Sequence, residues 1–148
     1  MIQQSRIPVS EAYLLALGRA AYNFACAEWA VKLVMEELRP GYIKLNENDT
    51  AGELAEEFLA ASRKAHLPDD AGTDLTDVAH RFRNLIRSRN DLLHAHPFTV
   101  TGGEQQLARD RNGNHVEWTL AEIREVAEAF EECALAVGEV HQKHLSAR

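Results

Sequence analysis

The chain has 148 residues, 45% of them hydrophobic and 26% charged, with a formal net charge of −7. That is the length of one domain, able to bury roughly 70% of the surface its unfolded chain exposes. No apolar run approaches the twenty residues of a membrane span, and the acidic balance argues against a protein that coats nucleic acid indiscriminately. No charged-then-apolar leader opens the sequence, so a soluble, cytoplasmic protein without membrane contact is expected. Cys26 and Cys133 fall on separate expected helices without metal-type spacing and read as reduced core thiols.

In chain order, the first helix is expected from about Ser10, its N-cap, to Leu38, with Pro40-Gly41 as the stop. The segment from Gly41 to Asn48 carries no visible chemistry. Thr50-x-x-Glu53 is a capping-box pattern and opens a short second helix reaching about Lys64. Asp74 is the expected cap of a third helix, which Pro97 must end because the residue before a proline is pushed out of the helical region. Arg111-Asn112-Gly113-Asn114 reads as a hairpin turn between arms Gln105–Arg109 and His115–Trp118. Thr119-x-x-Glu122 is a second capping box, with Trp118 before it as a hydrophobic staple, and opens a last helix that His141, Lys143 and His144 finish. The expected fold is therefore all-α: one domain over residues 1–148, a four-to-five-helix bundle of up-and-down type with a small β-hairpin inserted before the last helix.

The helical faces carry two anomalies. On the first helix, Leu14, Leu17, Ala21, Phe24, Val31, Met35 and Leu38 make one apolar face, with Glu28 in its middle. Leu15, Tyr22, Cys26, Trp29 and Leu33 make a second, as expected of a helix that is either central to its own bundle or shared with another subunit. On the third helix, Arg89 occupies the centre of the face formed by Leu75, Val78, Phe82, Leu85, Ile86, Leu92 and Leu93. Two opposite charges on two apolar faces are expected to meet, so Glu28 and Arg89 are predicted to form a buried structural ion pair.

Arg83, Arg87, Asn90 and His94 share a different face of the third helix, with His80 near its edge. Residues 78 to 96 hold four arginines against Asp91 alone, +3 in a chain of −7, so the remainder carries −10. Such a basic island can receive a phosphate, and Arg83 and Arg87 are the expected phosphate-binding residues.

The segment Arg89-Asn90-Asp91-Leu92-Leu93-His94 resembles the signature of HEPN domains: an arginine, a polar residue, three or more residues, then a histidine. The resemblance implies a helical, commonly dimeric fold and metal-independent endoribonuclease activity, many members being toxins or antiviral effectors. It also implies that Arg89 and His94 form the catalytic pair with Asn90 as the adjacent polar member, that RNA is the substrate, and that a second copy and an antitoxin or other protein are partners.

The chemistry can be argued separately. Cleaving RNA without a metal means taking a proton from a 2′-hydroxyl, stabilising charge on the pentavalent phosphorus and protonating the leaving oxygen. One histidine serves one of the two proton transfers; a second His94 in a symmetric dimer supplies the other, while Arg89 holds the phosphate. Positions 89 and 94 stand about 140° apart on an ideal helix, so they share a pocket only at the helix edge. The alternative is a catalytically silent helical module in which Arg89 is structural, His94 neutralises the dipole at a helix end, and the surface binds a protein or a nucleotide. His94-x-His96 lacks clustered Cys or carboxylate partners for a metal, and no motif calls for a cofactor.

Overall fold

The computed structural model describes residues 6–145. The opening residues, on which the expectation of no leader rests, lie outside the described part. The described residues are mostly helical, with five α-helices and one three-stranded antiparallel sheet. In order these are α1 (Glu11–Leu38), α2 (Tyr42–Leu45), α3 (Ala51–Lys64), α4 (Asp69–Leu93), β1 (His96–Thr99), β2 (Gln105–Arg111), β3 (Asn114–Trp118) and α5 (Leu120–Val140), and a π-helical turn over His141–Leu145 ends the described chain. Among the described residues no helix is long and apolar enough to cross a membrane.

The helix starts follow their sequence signals. Ser10 accepts from the Tyr13 amide, and both Thr50–Glu53 and Thr119–Glu122 form complete reciprocal capping boxes. Trp118, just ahead of the second box, is buried in the same core as Ile123 four positions into α5, as a staple requires.

α4 departs from expectation by starting at Asp69 rather than at Asp74. Asp69 and Asp70 place negative charge on the first turn, and buried Ala71 and Leu75 carry the apolar stripe back one turn further. Asp74 instead binds His144 at 2.8 Å, tying the beginning of α4 to the π-helical turn where the last helix was expected to end in the ordinary way. The short α2 was not foreseen. Gly41, at φ 92°, turns the chain, and the Glu36 carboxylate accepts from the Gly41 and Ile43 amides, which holds its pKa below the usual value.

The core is built around α1, which makes its most extensive contact with α5. Its buried line runs through Tyr13, Ala16, Ala20, Phe24, Ala27, Val31, Val34 and Met35. This face is rotated from the one expected, for Leu14 and Ala21 are exposed. The inward line is rich in alanine, and small side chains let two helix axes approach closely. Phe24 joins three helices, stacked on Phe82 of α4 at 5.9 Å and edge-on to Phe130 of α5 at 5.1 Å. The second apolar face of α1 is not covered: Leu15, Tyr22, Cys26 and Trp29 are exposed, and Leu33 is half-buried. Cys26 is thus a surface thiol, contrary to expectation, whereas Cys133 is buried and its thiol is pushed up to about 11 by that burial.

The inserted β-element is a three-stranded sheet, larger than the expected hairpin. Asn112 and Gly113, both at positive φ, make the tight turn between β2 and β3. The extra strand, β1, begins three residues beyond the last residue of α4 and pairs His96 with Ala108 through Thr99 with Gln105. It lies at the sheet edge, where Pro97 costs no ladder hydrogen bond. One face of the sheet, carrying Leu107, Arg109 and Trp118, turns toward the helices, and the other carries His96, Asp110 and His115. The Tyr13 hydroxyl links this sheet to the bundle: it donates to the Trp118 carbonyl at 2.6 Å and accepts from the Leu107 amide at 2.8 Å.

Candidate functional site

The last turns of α4 separate the expected site residues onto two sides. Arg83, Arg87, Asn90 and His94 line one open cleft of about 460 Å³. Arg89 lines another, an apolar groove of about 440 Å³ whose walls include Phe24, Phe130, Leu93 and Glu28. Within one chain, therefore, Arg89 and His94 do not converge. The helix keeps its regular twist through Leu93, so the wide angle between the two positions is not closed by distortion before Pro97.

The expected Glu28–Arg89 ion pair is not formed. Glu28 pairs with Lys32 at 3.5 Å, one helical turn along α1, although it shares the groove with Arg89. The Arg89 guanidinium instead lies over the Phe24 ring, 5.5 Å from its centre, and donates through Nη1 to Asn90 Oδ1 at 2.9 Å. The reason is local: Lys32 holds the Glu28 carboxylate, and an aromatic face and an amide offset part of the desolvation of the half-buried Arg89 cation. The bond to Arg89 also orients Asn90. With Oδ1 engaged by a group that can only donate, the amide Nδ2 of this cleft-lining residue remains available as a donor.

The cleft is more basic than α4 alone makes it. β2 lies against α4 and adds Arg109 and Arg111 to the lining. These two were missed as site residues because one was read as an arm residue and the other as part of the turn. The available signal was the two-residue period of Leu107, Arg109 and Arg111, which sends all three to the face that Leu107 anchors in the core. Arg83 is held by Glu56 of α3 at 2.8 Å, and Arg111 by Asp91 at 3.2 Å. Arg87 and Arg109 have no ion-pair partner among the described residues, so two cations remain uncommitted there. His94 caps the end of α4, its amide bonded to the Asn90 carbonyl at 3.0 Å, with its ring exposed at the cleft. His80 is not among the lining residues.

His96 belongs to another cluster, on the outer face of the sheet. Asp110 accepts from His115 Nδ1 at 2.7 Å and from His96 Nε2 at 3.0 Å, while His96 Nδ1 lies 3.1 Å from the Pro97 carbonyl. Both nitrogens of the His96 ring face acceptors, which favours the doubly protonated ring and raises its pKa. The two histidines lower the pKa of Asp110, His115 more than His96. Among the described residues no group of three or more His, Cys, Asp or Glu side chains is placed to hold a metal ion.

Comparison of the chain with protein families, curated proteins and solved structures finds no match.

Proposed function

We propose that this protein binds single-stranded RNA by its phosphate backbone in the cleft between α4 and β2, and cleaves it without a metal in the manner of an HEPN-like endoribonuclease. The observation that carries the reading is the meeting of Arg87, Asn90 and His94 from α4 with Arg109 and Arg111 from β2 in one open cleft. Two uncommitted guanidinium groups suit a phosphodiester, and the Asn90 amide adds a fixed donor. His94, at the same wall, takes the proton of a 2′-hydroxyl as its oxygen bonds to phosphorus. The bond to the 5′ oxygen breaks, and that oxygen collects a proton from water or from a second His94. A 2′,3′-cyclic phosphate and a 5′-hydroxyl result. Arg89 acts in this chain as a positioning residue, through Asn90.

The second reading is a silent helical module that binds an RNA strand, a nucleotide or a protein without cutting. It is favoured by the position of Arg89 in a groove apart from His94. One experiment separates the two. Incubating the purified protein with end-labelled single-stranded RNA in chelator is expected to give cyclic-phosphate products, lost in His94→Ala. That variant removes an exposed helix-end side chain and should cost under about 1 kcal/mol of stability. Binding without cleavage leaves the silent module. Absence of binding even at low salt removes both RNA readings.

A further inference from the structure

The apolar groove across α4 from the cleft has no part in the proposed RNA chemistry, yet its volume of about 440 Å³ is that of a small-molecule site. Its lining is ordered along α1. Leu17 and Leu107 stand at the end where Tyr13 binds the sheet, and no charged residue of the lining lies there. Two turns further along α1 comes Phe24, with the Arg89 guanidinium over its ring, and one turn beyond that Glu28. The groove is therefore apolar at one end and charged at the other.

The charge at that end is positive and unfinished. Lys32 holds Glu28 at 3.5 Å, and among the described residues no carboxylate pairs with Arg89. Nη1 of Arg89 donates to Asn90, but Nε is buried and has no hydrogen-bond partner. An N–H removed from water without an acceptor is unfavourable, and fold stability gives no reason for it here. We propose that the groove binds a small amphipathic carboxylate, a fatty-acid-like chain whose head meets Arg89 and whose tail runs along α1 toward Leu17.

The chemistry selects this class over others. A carboxylate supplies the acceptors that the guanidinium lacks, in a matching planar fork. A phosphate dianion would bring a second charge beside Glu28 with no second free cation in the lining, and an amine would meet Arg89 with like charge. The Phe24 ring already faces the guanidinium, and the rest of the wall is largely aliphatic, which suits a flexible alkyl tail. From Phe24 to Leu17 is about 10 Å along the helix, the reach of an extended chain of roughly eight carbons.

The groove is distinct from the RNA cleft and its test contains no RNA, so failure here leaves the RNA proposal standing. Isothermal titration of the intact chain with decanoate is expected to show one saturable site, with a dissociation constant on the order of 50 µM. Butyrate should bind more than about tenfold more weakly, since each methylene lost from an apolar wall costs roughly fourfold. Decanol keeps the tail and lacks the charge, and should be weaker by about tenfold or more. Arg89→Ala should bind decanoate no better than decanol. Leu93→Glu is the independent check, because Leu93 is 54% exposed and lies one turn from Arg89. Its carboxylate should occupy the guanidinium and remove decanoate binding while circular dichroism stays native. Wild type that shows no saturable decanoate binding below about 1 mM overturns the site. Equal affinity for decanol and decanoate, or decanoate binding that survives both substitutions, overturns Arg89 as its anchor.

Discussion

Arg89 shows how one residue's partners decide its energetic role. A guanidinium over Phe24 with a bond to Asn90 contributes on the scale of a cation–π contact plus one hydrogen bond. Arg89→Ala is therefore expected to cost about 1–3 kcal/mol in denaturant unfolding. Glu28→Ala, which removes only a half-exposed one-turn pair with Lys32, should cost under about 1 kcal/mol. The double mutant should show little coupling, because the two residues do not bond. A coupling energy as large as either single effect would show that they pair in solution. His96 gives the pH prediction. Its folded pKa is raised, so its contribution to stability is full below the unfolded value and is lost as pH rises through the folded one. The lowered Asp110 contributes in the opposite sense, fully above its unfolded value and lost as pH falls through its folded one. A proton NMR titration should place His96 above an ordinary histidine, and Asp110→Asn should move it back down.

At the scale of elements, Tyr13 is the most consequential contact. Tyr13→Phe keeps the ring in the core but leaves the Trp118 carbonyl and the Leu107 amide without their partner, which should cost about 1–3 kcal/mol. Because β2 carries Arg109 and Arg111, the same change should weaken RNA binding although it touches no residue of the cleft. Native RNA affinity in a destabilised Tyr13→Phe would separate the latch from the site. Much of this level was legible in the sequence. The start and end of α1, both capping boxes and the Asn112-Gly113 turn rest on short-range chemistry that a window of a few residues contains. The early start of α4 was hidden because Pro68 offers no side-chain cap and Asp74, which does resemble one, is engaged by His144 from seventy residues away. β1 is four residues long and includes a proline, too short to show a period. Of the candidate site, the grouping of Arg83, Arg87, Asn90 and His94 could be read from helical angles alone. The contribution of β2 could not, since it depends on how the sheet docks.

For the whole molecule, the basic cleft sits in an acidic body, so the RNA binding proposed for it should be short-ranged and sensitive to salt. Neutralising two phosphates with Arg87 and Arg109 predicts a log–log slope of affinity against salt of roughly −1.4, at about −0.7 per phosphate for a single strand. Replacing either arginine with alanine should reduce that slope by about half, measured by fluorescence anisotropy over a salt series. A slope unchanged in both variants would place the strand elsewhere. The bond between Arg89 and Asn90 has a further consequence. It crosses the wall between groove and cleft, so a ligand that shifts Asn90 on one side alters the partner of Arg89 on the other. Thermodynamic linkage then makes the two sides reciprocal: whatever factor a ligand in the cleft applies to binding in the groove, binding in the groove applies to affinity at the cleft. Asn90→Ala, by cutting that link, should uncouple the two equilibria while leaving each one measurable.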